Sequence, residues 1–256
     1  MHDTTPKVVS SKNRYDSNLS TAPDTQNSRA PSEAIPEYLE EVYNWAYIDE
    51  KNVQRLDRDW VFNGLLFGNG WRLKKAYLSR IQPGMRVWQV AHVYGKLVQD
   101  VAQKVGPNGQ FDITDIAPIQ IRQILSKVGD QPQVSIYQSD AATWTGKNYD
   151  VSCSFFLLHE VPDEKKTEII HQVLNSIAAN GQAIFVDYHR PAPWQPVGWV
   201  LRWVNAKLEP FSEALWNQDI QKFTDAHIAS KFDWEKRTLF GGVYQVVIAH
   251  LKKHSS

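Results

Sequence analysis

Cysteine is almost absent. The 256-residue chain has one, Cys153, which excludes an internal disulfide framework and suits a reducing compartment. Its neighbours Val151, Ser152, Ser154 and Phe155 mark it as a small buried strand residue rather than a reactive thiol. Net charge is absent too: Lys plus Arg and Asp plus Glu each number 28. No overall field gathers nucleic acid, so no nucleic-acid partner is expected. No apolar run is long enough to span a bilayer. The last shortage is local. In Val87-Trp88-Gln89-Val90-Ala91-His92-Val93-Tyr94-Gly95 a buried strand runs into a tight turn and then a helix, beginning near Lys96. Such a turn is usually glycine-rich, because backbone must approach a ligand closely. Here Ala91 and Val93 occupy two of the glycine positions and only Gly95 remains.

Tryptophan is abundant, with ten in the chain, and an excess of Trp marks either core or surfaces that meet lipid or aromatic ligands. Residues 1–35 read as a disordered tail, rich in Ser, Thr, Asn, Asp and Pro. Lys7, Lys12, Arg14 and Arg29 would allow a targeting role; Asp3, Asp16 and Asp24 argue against it. Residues 36–256 form a single domain. Its first part, residues 36–82, reads as a helical cap in which Tyr43, Trp45 and Tyr47 either pack as core or wall an aromatic ligand. A basic helix over Trp71 to Arg80 closes the cap.

From Pro83 onward strand and helix alternate, so the sheet is expected to be mainly parallel with helices on both faces. Strands are expected at Phe111 to Asp115, Val134 to Tyr137, Tyr149 to Leu158 and Ala183 to Val186. Helices are expected from Pro118 to near Val128 and from Pro162 through Ala178, the latter ended by Asn180-Gly181. Residues 191–230 interrupt the rhythm with an amphipathic insertion carrying Trp194, Trp199, Trp203 and Trp216. It suits an interfacial helix or a lid over an apolar substrate, or a lid that only packs on the domain. Strands from Phe232 to Leu239 and Val243 to Leu251 meet across Gly241-Gly242 as a hairpin, so the last strand runs antiparallel to its neighbour.

That layout resembles the class I S-adenosylmethionine-dependent methyltransferase family: an α/β, Rossmann-like fold with a mostly parallel seven-stranded sheet ending in an antiparallel hairpin. The resemblance places Asp115 on the cofactor ribose, with Ile116 beside it, and Asp140 and Ala141 by adenine. Gln89 and Tyr94 are expected near the cofactor's methionine end, and Ala91, Gly95 and Phe155 are expected to contact it as well. A closer resemblance is to the rhodoquinone-biosynthesis (RquA-type) branch. It rests on Ala91 to Gly95, Val42 to Tyr47, Phe155 to Glu160, and the Asp-Tyr-His-Arg-Pro run from Asp187 to Pro191. The branch resemblance implies conversion of ubiquinone to rhodoquinone, with S-adenosylmethionine as amino donor and manganese as the favoured divalent metal. Gln89 fits that chemistry, because losing a nearby acid helps keep an α-amino group of reference pKa about 7.7–8.0 unprotonated and nucleophilic.

Two further readings stand beside it: ordinary methylation of a quinone or small aromatic, and a non-enzymatic scaffold in which Val93 blocks the cofactor. For the first reading the expected catalytic residues are Glu160, His159 and Tyr94. The expected metal ligands are Glu160, Asp187 and His189, which lie at the ends of neighbouring strands. Tyr43, Trp45, Tyr47, Tyr188, Trp199 and Trp203 are expected to meet the quinone. A substrate with a long isoprenoid tail stays in lipid, so the expected location is cytoplasmic, peripheral to the inner membrane, or mitochondrial in a eukaryote.

Overall fold

The computed structural model describes residues 7–8, 57–208 and 211–252, with backbone alone at 7–8 and 203–208. Tyr43, Trp45 and Tyr47 lie outside the described residues, as does the side chain of Trp203. The sheet is built from β2 (Arg86–Val90), β3 (Gln110–Asp115), β4 (Val134–Gln138), β5 (Tyr149–Phe155), β6 (Ile177–Tyr188), β7 (Phe232–Leu239) and β8 (Tyr244–Leu251). A two-residue strand, β1 (Lys7–Val8), adds to the edge of β4. The order is β1-β4-β3-β2-β5-β6-β8-β7. Strands β2 to β6 pair in parallel, whereas β8 pairs antiparallel with both β6 and β7. Gly241 and Gly242, at φ 60° and 84°, sit in the left-handed region the tight hairpin turn requires.

Helices α1 (Asp59–Leu65), α2 (Gly70–Leu78), α3 (Leu97–Val105) and α4 (Pro118–Val128) cover one face. In α3, Leu97, Val98, Val101, Ala102 and Val105 are all buried, the apolar stripe of a helix lying on a sheet. The other face carries α5 (Asp163–Ser176), the short helix α7 (Glu213–Asn217) and a turn at Ile220–Phe223. In the chain α6 (Val197–Leu208) comes between α5 and α7, but its buried Leu201 belongs to the core of the first face, and α8 (Ala226–Ala229) precedes the hairpin. The chain builds β2, β3 and β4 outward in one direction, then returns to place β5 and β6 on the other side of β2. In open α/β sheets that reversal opens the ligand crevice at the C-terminal strand ends.

Two expected elements are corrected. Strand β5 stops at Phe155 rather than Leu158. Phe156 turns out of the sheet at φ 52°, and Leu158–Glu160 forms a 3-10 turn. Helix α5 ends at Ser176, and β6 starts at the next residue, so Asn180-Gly181 lies inside a strand instead of terminating a helix. The β5–β6 register jumps there, from Tyr149 opposite Ile177 to Val151 opposite Gln182. A Cβ on Gly181 would come 2.5 Å from the Tyr149 carbonyl oxygen; that Gly serves a β-bulge, where backbone approaches backbone.

The tryptophans divide between core and surface. Trp88 and Trp144 stack at 5.7 Å and are buried, with Trp88 Nε1 donating to Thr114 Oγ1 at 3.2 Å. Trp60, Trp71, Trp194 and Trp199 are 71%, 59%, 73% and 73% exposed.

Candidate functional site

The turn after β2 keeps its shape without its usual glycines because side chains hold it. Ala91 sits at φ 63° and Gly95 at φ 82°. For Ala91 the left-handed conformation costs about 1–2 kcal/mol, so the surroundings must fix it. The Gly95 N–H donates to Asp57 Oδ1 at 2.9 Å, and Lys96 N–H donates to Asp59 Oδ1 at 3.3 Å. Lys127 Nζ ion-pairs with Asp57 and donates to the Gly95 carbonyl at 2.7 Å. Lys74 in turn bridges Asp59 and Asp100 at 3.0 and 2.8 Å. None of Asp57, Asp59, Lys74 or Lys127 was expected from the sequence. One signal was present: Lys127 shares a helical face with buried Gln120 and Ile124, an unusual position for a cation.

His92, in the middle of that turn, is buried between Gln120 and Lys127. The Lys127 ammonium can only donate, so His92 Nε2 accepts from it at 3.1 Å and Nδ1–H donates to Gln120 Oε1 at 2.7 Å. Burial, aided by the Lys127 charge, lowers the His92 pKa to about 4. Gln120 Nε2 also donates to the Tyr94 hydroxyl at 3.3 Å.

The remaining positions expected to meet a cofactor line the same sheet edge. Gln89 is fully buried; its Nε2 donates to the Ala91 carbonyl at 3.2 Å, and its Oε1 has no partner. Asp115 ends β3, where Oδ2 accepts from His92 N–H and Oδ1 from Ala117 N–H, both at 2.8 Å. Burial pushes its pKa up to about 6 against the pull of those bonds. Asp115 therefore anchors the β2 turn, and truncating it would unhook the turn. Asp140 Oδ1 accepts from Ala142 N–H at 2.8 Å, and Lys165 pairs with Oδ2 at 3.3 Å. Ala141 is buried and Ile116 half-buried. Phe155 is wholly buried against Tyr77 and Phe156.

Across β5 and β6 the chain brings His159, Glu160 and Asp187 together but leaves His189 out. His159 Nδ1 lies 2.8 Å from Asp187 Oδ1; a carboxylate only accepts, so the proton is on Nδ1. Nε2 then faces Glu160 Oε1 at 3.7 Å. Asp187 Oδ2 takes the Leu158 N–H at 2.9 Å and Oδ1 takes the Tyr188 N–H at 2.7 Å. Burial raises the Tyr94 hydroxyl pKa, and the Glu160 charge, with those of Asp57 and Asp115, pushes the same way. Of the expected catalytic residues, His159 and Glu160 lie side by side, whereas Tyr94 packs on His92 and is bonded by Gln120.

The expected metal site does not form. Asp187 already accepts from several donors, and His189 turns to the hairpin. There Nδ1–H donates to the Gly242 carbonyl at 2.9 Å while Nε2 accepts from Lys236 Nζ at 2.9 Å. Both imidazole nitrogens are occupied, so neither has a lone pair for an ion. Among the described residues no group of three or more His, Cys, Asp or Glu is arranged to hold a metal.

Aromatic rings surround the histidine. Tyr188 meets His159 edge-on at 4.8 Å, and Phe156 does so at 5.8 Å. Tyr244 closes the group from β8 at 5.7 Å from Tyr188 and 5.8 Å from Phe156. Trp199 lies elsewhere, on the outside of α6 beneath the Arg202 guanidinium.

Comparison with known proteins matches this geometry to one architecture. The phosphoethanolamine N-methyltransferase 2 of Haemonchus contortus, solved with S-adenosyl-L-methionine, superposes with a TM-score of 0.60 at 12% identity. It covers 86% of this chain and 61% of that one. Human N-acetylserotonin methyltransferase, also with its cofactor, gives 0.55 at 14%, covering 86% and 64%. The fold is the class I methyltransferase fold. At the sequence level the chain is 27% identical over 140 residues to the ubiquinone/menaquinone biosynthesis C-methyltransferase UbiE of Ectopseudomonas mendocina. That match takes in 51% of this chain, which spans about half, 54%, of that relative's length. No protein-family model matches the chain.

Proposed function

We propose that this chain is an S-adenosylmethionine-dependent transferase that acts on ubiquinone, replacing a ring methoxy group with an amino group to give rhodoquinone. The observation that carries the reading is Gln89. It places a buried, neutral amide near the C-terminal end of β2, and its Oε1 lacks a donor. An amide oxygen accepts a hydrogen bond from a neutral amine without stabilising the ammonium as a carboxylate would. Asp115 and Asp140 supply acceptors along the same edge, so the residues fit the cofactor. When bound, S-adenosylmethionine would supply the transferred nitrogen.

His159 handles protons in this reading. Asp187 fixes its tautomer and stabilises its charged form, leaving Nε2 as the atom that takes a proton from the incoming nitrogen. At the ring the C–N bond forms as the C–O bond breaks, and methoxy leaves as methanol with the proton His159 returns. The bond from nitrogen to the donor's α-carbon would then break by passing the Cα–H electron pair to the quinone ring and hydrolysing the resulting imine, which gives the aminated ring as its quinol and a 2-oxo acid. No metal is assigned a role, because among the described residues no group is arranged to hold one. The exposed Trp194 and Trp199, with Trp60 and Trp71 on the adjoining cap, support peripheral contact with the membrane that holds the substrate.

The test is Gln89→Glu. Restoring an acid should depress turnover at neutral pH and move the pH–rate profile upward by about one unit. A variant profile that superimposes on the wild type removes the basis of the reading. Methyl transfer to a quinol is the second reading, favoured by the C-methyltransferase name of the matched relatives; His159 and Asp187 would serve it equally as a base pair.

A further inference from the structure

Tyr244 is the first residue of β8 and lies opposite Tyr188 in the register. Its side chain is fully buried, yet its hydroxyl has no hydrogen-bond partner. An orphaned buried hydroxyl costs about 1–3 kcal/mol, and phenylalanine would fill the same space without it. A retained orphan of this kind calls for an occupant that completes it. The surroundings say what that occupant is. The Tyr244 ring packs 5.8 Å from Phe156 and 5.7 Å from Tyr188, and stacks at 6.3 Å on Phe240. Phe156 and Tyr188 are only half-buried, so the cluster reaches the surface at this edge, with His159 against Tyr188. Electron-rich rings suit a flat, electron-poor ring, and a phenol hydroxyl suits a carbonyl acceptor.

We propose that the Tyr244 hydroxyl is the hydrogen-bond donor to a ring carbonyl oxygen of a quinone seated among Phe156, Tyr188 and Tyr244, beside His159. This rests on the quinone reading above and adds a specific contact to it. Burial raises the Tyr244 pKa well beyond its ordinary value, so the group stays protonated and donates at any working pH. The bond strengthens as a nucleophile adds to the ring and negative charge gathers on that oxygen.

The experiment compares wild type and Tyr244→Phe, using a short-chain ubiquinone analogue as probe and tryptophan quenching as readout, with S-adenosylmethionine present. A trimethoxytoluene of similar size but without carbonyls is the control. Removing an orphan hydroxyl should leave the unfolding midpoint unchanged or higher. Affinity for the quinone should fall about three- to tenfold, as for one lost hydrogen bond, while affinity for the control is unchanged. Equal quinone affinity in wild type and variant overturns the Tyr244 assignment and leaves quinone binding standing. A wild type that binds no quinone overturns both.

Discussion

At the residue scale the informative positions are those where charge or strain is held against a cost. His92 is kept neutral by burial and by Lys127, with a folded pKa of about 4 against an ordinary 6.5. A histidine depressed in the folded state lends stability above its unfolded pKa. That stability drains away as pH falls from about 6.5 toward 4, up to about 3 kcal/mol in all. Asp115, raised to about 6, acts with the opposite sign over an overlapping window, but it remains in both proteins of the comparison. His92→Leu should therefore lose less stability than wild type between pH 7 and pH 4.5 in urea titrations. Parallel decline of the two would contradict the burial of a neutral imidazole. Gly95 makes a second case: a Cβ there would meet Asp59 Oδ1 at 3.0 Å and Asp59 Cα at 3.3 Å, at φ +82°. Gly95→Ala should cost about 1–3 kcal/mol, read as a lower urea midpoint with an unchanged slope. The sequence exposed Gly95 as the last glycine of the turn. It could not expose Asp57, Asp59 and Lys127, because an ion-pair network closing over 70 residues of separation leaves no local pattern.

At the element scale most of the order was legible, because each strand and helix carries its own periodicity and punctuation. Pro118 at the head of α4 and Gly241-Gly242 in the hairpin are turn chemistry that reads without a structure. The errors fall where a local signal served a tertiary purpose. Asn180-Gly181 reads as a helix stop, but it lies in a bulge that lets β6 pass the Tyr149 carbonyl. Gly181→Ala separates the two roles. At a helix end with open surroundings the change would be mild, whereas a Cβ 2.5 Å from backbone oxygen forces β6 to shift. A loss of about 2 kcal/mol or more in chemical denaturation is expected; a loss under about 0.5 kcal/mol would contradict the bulge. The metal ligands failed for a similar reason. Asp187 lies near the end of β6 and His189 just past it, two residues on, but the first packs against His159 and the second against the hairpin.

At the scale of the whole molecule, the cap and the hairpin, separated in sequence, meet near two exposed tryptophans, Trp71 and Trp194. Phe67 of the cap stacks on Phe240 of the hairpin at 6.1 Å, and a Cβ on Gly241 would touch Trp194. Beside Trp71, the cations Arg72, Lys75 and Arg237 line a groove of about 380 Å³. Aromatic groups with neighbouring cations are what the proposed contact with anionic lipid would use. Wild type should float with anionic liposomes, and a Trp194→Ala/Trp199→Ala variant should float distinctly less. No flotation of wild type with either anionic or neutral vesicles would remove membrane contact from the account.

The measurement that bears most directly on amino transfer follows two labels through one reaction. Purified protein is given ubiquinone and S-adenosylmethionine carrying ¹⁵N in its amino group and ¹³C in its methyl group, and the quinone product is weighed by mass spectrometry. The neutral Gln89 site predicts a product that has lost a methoxy group and gained ¹⁵N, with no ¹³C. A product carrying ¹³C and no ¹⁵N would make this chain a methyltransferase in chemistry as well as in fold.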